Sequence, residues 1–114
     1  MTAFTQEQLS ALAVFAGGRP GKTVVKSWCF PDEGIYINQS DWLPHVRPEQ
    51  TDLIIEALLG KGYFLTIYPR VDGSSCVVNL DSDVPLMEKV GGKWPNALCL
   101  AALELIQKEK KNGN

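Results

Sequence analysis

The sequence predicts one small α+β domain, an antiparallel sheet covered by helices in the order α-β-(β)-α-β-β-α, layered as an α/β/α-like sandwich. Three observations carry this expectation. Three segments place apolar residues three and four apart, the period of a helix face. Tyr63–Tyr68 and Cys76–Leu80 read as strands on either side of Asp72-Gly73, a hairpin turn signal. A chain of 114 residues is long enough for one core and short for two. The domain is expected to span residues 1–114, with residues 110–114 as a frayed tail.

The first helix is expected to start after Thr5. Gln8 completes a capping box, and Phe4 and Leu9 are placed for a hydrophobic staple. Leu9, Leu12, Ala13, Phe15 and Ala16 form its apolar face. Gly17-Gly18 ends it and Pro20 blocks its resumption. Thr23 to Phe30 reads as a strand, with β-branched residues followed by aromatics. Pro31-Asp32-Glu33-Gly34 is a turn, Ile35 to Ile37 a short extended segment, and Asn38 to Arg47 irregular with Trp42 and Leu43 as anchors. Pro48 opens the second helix at a position where its missing N–H is no loss. Leu53, Ile54, Ala57 and Leu58 give that helix one apolar stripe. After the hairpin, Val84 to Met87 is a short edge segment interrupted by Pro85. The third helix runs from Pro95 or Asn96 to about Lys110. Its wide apolar face (Leu98, Cys99, Ala102, Leu105 and Ile106, broadened by Leu100 and Leu103) predicts the deepest burial of the three.

Composition narrows the function classes. Apolar residues make up 45% and charged residues 21%, the mixture of a globular domain rather than a disordered chain. The net charge of -2 provides no overall field for nucleic acid, so a nucleic-acid partner is disfavoured. Lys108, Lys110 and Lys111 suit the C-terminal end of a helix dipole. Three scattered cysteines, Cys29, Cys76 and Cys99, are no disulfide framework and imply a reducing, cytoplasmic setting. Glu7 and Gln8 interrupt any leader-like apolar run, and no stretch has the length of a membrane span.

One motif has the look of chemistry. Ala16-Gly17-Gly18-Arg19-Pro20-Gly21-Lys22-Thr23 resembles a phosphate-binding loop with its first glycine missing. Such a loop needs a strand before it and a helix after it, and here the order is reversed. His45 is the only histidine. Neither it nor the cysteines have the spacing of a zinc site, and Cys29 with His45 is the only arguable nucleophile and base. No catalytic residue, metal site or cofactor is therefore expected. The candidate contact residues are surface ones. Trp28, Trp42 and Trp94 flank turns and loops, where an exposed tryptophan anchors an interface. Asp72, Asp81 and Asp83 form an acidic hairpin rim suited to a basic patch on a partner.

Several segments resemble the phage ABA sandwich domain family. They are Trp28-Cys29-Phe30, the helix from Arg47 to Ala57, the strand Gly62 to Ile67, and Trp94-Pro95-Asn96-Ala97-Leu98-Cys99-Leu100-Ala101-Ala102-Leu103. The resemblance spans about residues 28 to 106. In the last segment Pro95, Ala97, Cys99, Ala101, Ala102 and Leu103 match, while Leu98 stands where isoleucine is usual. The resemblance implies a sheet between helices and a phage or prophage origin, and it carries over no catalytic residue. By analogy of lifestyle it implies a non-enzymatic accessory protein that binds and inhibits or modulates a host protein, including a host defence nuclease or CRISPR machinery. A structural or assembly accessory and a weak nucleic-acid-binding module are the alternatives, and self-association as a homodimer is a further arrangement to weigh.

Overall fold

The computed structural model describes residues 4–21, 26–71, 73–80, 85–90 and 92–112. The elements run α1 (Gln6–Phe15), β1 (Arg19–Pro20), β2 (Ser27–Phe30), β3 (Ile35–Asn38), a 3-10 turn (Gln39–Asp41), α2 (Pro48–Gly60), β4 (Tyr63–Arg70), β5 (Gly73–Leu80), β6 (Pro85–Val90) and α3 (Trp94–Asn112). This is the α+β class, with three helices and antiparallel strands. The strands form two sheets where one was expected, β1-β2-β3 and β4-β5-β6. Each is closed by local pairing. The Pro31–Gly34 turn folds β3 back on β2, and the residues leaving α1 pair with the other edge of β2, Pro20 opposite Trp28. β4 and β5 pair over eight positions from Tyr63↔Leu80 to Arg70↔Gly73. The segment after the hairpin is a full strand, and its ladder with β5 is irregular at Val78/Asn79, close to Pro85.

The capping box at Thr5 is present in both directions. Gln8 N–H donates to Thr5 Oγ1 at 3.1 Å, and Thr5 N–H donates to Gln8 Oε1 at 2.9 Å. Gly17 adopts φ +93°, the left-handed conformation that lets a helix end turn back on itself. Gly18 follows at a site with no room for a side chain, since a Cβ there would lie 2.9 Å from both the Ala13 carbonyl oxygen and the Phe30 ring. The glycine pair is thus explained by helix termination and by close packing on β2.

One buried cluster joins α1, β2, α2, β5 and α3 through residues such as Leu12, Phe30, Ile54, Val78 and Leu98. α3 is the central element. It packs on all three strands of the β4-β5-β6 sheet and on both other helices. Its Ala97, Leu98, Cys99, Ala101, Ala102, Leu103 and Leu105 are buried. Small residues at 97, 99, 101 and 102 let it approach its neighbours closely, and larger ones fill the spaces between. On β4 the side chains alternate as strand geometry requires. Tyr63, Leu65 and Ile67 pack on the core, and Phe64, Thr66 and Tyr68 face outward.

The segment from Asp41 to Arg47 lacks regular structure but is held firmly. Gln50 clamps it from α2, accepting from Leu43 N–H at 2.6 Å and donating to the Asp41 carbonyl at 2.8 Å. The Thr51 hydroxyl donates to the Pro44 and Arg47 carbonyls. These bonds replace the ladder that an irregular backbone cannot make for itself.

Candidate functional site

The tryptophans expected as surface anchors sit elsewhere. Trp42 is 0% exposed, with its indole N–H donated to the Leu9 carbonyl at 2.8 Å. Trp28 is 5% exposed on β2. Both are core residues of this fold and offer no indole face to a partner. Their position beside turns misled, because the segment after β3 folds inward over α1 rather than lying on the surface. Trp94 is half-buried at the start of α3. Asp72, Asp81 and Asp83 lie outside the described residues. The aromatics exposed among the described residues are Tyr36, at 70% exposure, Phe64, at 60%, and Tyr68 at the edge of exposure.

The phosphate-loop resemblance has a structural explanation. Ala16 N–H donates to the Leu12 carbonyl, Gly17 N–H to Val14, Gly18 N–H to Ala13 and Gly21 N–H to Ser27. The backbone N–H groups of Ala16, Gly17, Gly18 and Gly21 are thus committed to closing α1 and pairing with β2. Lys22 and Thr23 lie outside the described residues. Cys29 and His45 share no hydrogen bond among the described residues. Cys29 stands opposite Tyr36 in the β2–β3 ladder, and this neighbouring thiol, with slight burial, raises the Tyr36 phenol above its ordinary value. His45 lies against Phe4, with ring centroids 4.7 Å apart. Among the described residues no group of three His, Cys, Asp or Glu side chains is arranged to hold a metal ion.

These environments predict reactivity and acid response. Burial pushes the Cys76 thiol up to about 11, and burial followed by the charge of Cys76 pushes Cys99 higher still. Cys29 alone is half-exposed. A thiol reagent such as DTNB at neutral pH is expected to modify Cys29 in the native protein and the other two cysteines only on unfolding, since the thiolate is the reacting species. Rapid loss of all three thiols in native buffer would contradict the buried positions. Burial also lowers His45 from its ordinary value of 6.5, and its Nδ1 is buried without a partner. The folded state therefore prefers neutral imidazole, while the unfolded chain takes up a proton first as pH falls. Stability from this group is complete above 6.5 and is lost as pH drops from there through the lowered folded value. With one histidine in the chain, a single imidazole NMR titration reads it. A midpoint at or above 6.5 would refute this environment.

The fold builds an open pocket of about 320 Å³ between the end of α1, the β2–β3 turn and the second half of α2. Phe15, Phe30, Leu53 and Ala57 supply apolar wall, and Asp32, Glu33, Glu56 and Lys61 supply charge. Glu33 is held above the ordinary carboxylate range. The main cause is the neighbouring Glu56 carboxyl, with slight burial and the charge of Asp32 adding to it. Both carboxyl groups line the same pocket. Lys61, at the end of α2, lies 5.0 Å above the Phe15 ring and is paired with Glu109 of α3 at 3.3 Å. Residues from the C-terminal ends of both α1 and α2 line the pocket. Such ends carry partial negative charge, which Lys61, the residue capping α2, offsets in part.

Sequence reasoning missed this site. The acidic turn Asp32-Glu33-Gly34 was its one local signal. Nothing along the chain joins that turn to Phe15 or Glu56, which meet it only through the packing of α1 and α2.

No family model matches the chain, and neither does any curated protein or solved structure. Among the described residues no helix is long and apolar enough to cross a membrane.

Proposed function

We propose that this chain is a non-enzymatic binding domain that docks on another protein through the face around the α1/α2 pocket. The observation that carries the reading is the pocket itself, a recess of mixed polar and apolar lining with carboxylates at its rim and two helix C-termini in its wall. That electrostatic character disfavours phosphate and nucleic acid and favours a cationic patch on a partner. The resemblance to the phage ABA sandwich family, which rests on the residues quoted above, makes the partner a host protein that the chain inhibits or modulates. The bacterial cytoplasm is the compartment this reading implies, and three free cysteines suit it.

The test is affinity capture from bacterial lysate with three baits: the wild-type chain, Glu33→Lys/Glu56→Lys, and Phe64→Ser on the outward face of β4. A protein captured by the wild type and by Phe64→Ser, but lost with the charge-reversed bait, is the expected result. Capture that survives charge reversal would remove the pocket from the reading. Recovery with phage structural proteins alone, from infected cells, would favour an assembly role instead.

A further inference from the structure

The pocket narrows the partner to a chemical class, an inference that rests on the protein-binding reading above. Its volume of about 320 Å³ is at the lower end of ligand sites, suited to one long side chain rather than a peptide segment. Its apolar wall suits a hydrocarbon stem, because long cationic side chains lay their methylenes on apolar surface and keep the charge at the rim. The rim offers two carboxyl groups, Glu33 from the β2–β3 turn and Glu56 from α2. Lys61 shows that the Phe15 side of the pocket accepts a cation over an aromatic ring, and its ammonium is paired with Glu109.

We propose that the pocket receives an arginine side chain of the partner, with the guanidinium between the Glu33 and Glu56 carboxylates and the stem along the half-buried Phe15 and Ala57. Arginine fits better than lysine for two reasons. Its planar fork of donors can meet two carboxylates at once, whereas an ammonium is a compact point charge. Guanidinium is also more weakly hydrated and stacks on aromatic faces, so a partly apolar recess with Phe15 in its wall holds it at less cost.

The experiment is an NMR titration of the ¹⁵N-labelled full chain at neutral pH with Nα-acetyl-arginine amide. Nα-acetyl-lysine amide and Nα-acetyl-norleucine amide serve as comparisons. The expected result is saturable shifts at Gly17, Glu33, Glu56 and Ala57 with a Kd on the order of millimolar, weaker shifts with the lysine compound and none with norleucine. Glu33→Gln and Glu56→Gln should each weaken binding by about tenfold, and Glu49→Gln, on the exposed first turn of α2, should not. Glu33 and Glu56 are exposed, so neither substitution threatens folding. Equal response to arginine and norleucine, or binding indifferent to Glu33→Gln and Glu56→Gln, overturns the inference. If the charge-reversed bait loses its partner but arginine amide produces no shifts, the docking face stands and the arginine occupant is refuted. If arginine amide binds but no partner depends on the pocket, the protein-binding reading fails instead.

Discussion

Trp42→Ala is expected to lower the unfolding free energy by about 3–5 kcal/mol, a large share of the stability of a domain this size. Trp42 is fully buried and packs against Phe30, with ring centroids 5.3 Å apart at 39°. Its indole N–H donates to the Leu9 carbonyl, which ties the segment after β3 to α1 across 33 residues of sequence. Alanine removes the packing and the hydrogen bond together, and the neighbours cannot collapse into the space without moving α1 or Phe30. Trp42→Phe separates the two contributions. It keeps an aromatic ring beside Phe30, so much of the packing survives, and it deletes the N–H, for which about 1 kcal/mol is the usual net contribution. Urea unfolding followed by circular dichroism reads both variants. A midpoint for Trp42→Ala close to wild type would mean that this residue is not in the core. Phe30 also lines the pocket, so the alanine variant should weaken arginine-amide binding even where it remains folded.

The sequence was most legible where one local rule decides the outcome. Thr5 and Gln8 specify the start of α1 through their own side chains, Pro48 starts α2, and Gly17 ends α1 because a left-handed residue is needed there. The β4–β5 hairpin follows from its turn and flanking β-branched residues. What depends on long-range packing was not legible. The division of the strands into two sheets turns on which partners β2 finds, and one of them is Arg19–Pro20, only two residues long. Trp42 looked like a loop residue because the 3-10 turn and irregular backbone around it have no periodicity. The clamp by Gln50 and Thr51 is visible only when α2 lies beside that loop. The pocket is of the same kind, since Phe15, Glu33 and Glu56 come from three separate elements. Position beside a turn is a weak guide to exposure, and the burial of Trp28 and Trp42 beside the half-exposure of Trp94 illustrates this in one chain.

Thr51→Val is expected to destabilise the protein by about 1–3 kcal/mol, nearly all of it from one hydroxyl. Valine has almost the same shape, so no cavity forms, and the site is fully buried. The hydroxyl donates toward the Pro44 carbonyl and lies 3.0 Å from the Arg47 carbonyl. Arg47 O retains backbone donors from Gln50 and Thr51. Pro44 is itself buried, so its carbonyl would be left with reduced hydrogen bonding away from water, and that desolvation sets the size of the effect. Thr51→Ser reverses the deletion, keeping the hydroxyl and removing a methyl group worth about 1 kcal/mol. If polar satisfaction governs, Thr51→Val unfolds at the lower denaturant concentration of the two. If packing governs, Thr51→Ser does. Gln50→Leu removes the other half of the clamp, at Leu43 N–H and the Asp41 carbonyl. Because both side chains hold one loop, the double variant should cost less than the sum of the single ones, as once the loop is released the second deletion has less to break. Strict additivity would mean that the Asp41–Arg47 segment is held at each point independently.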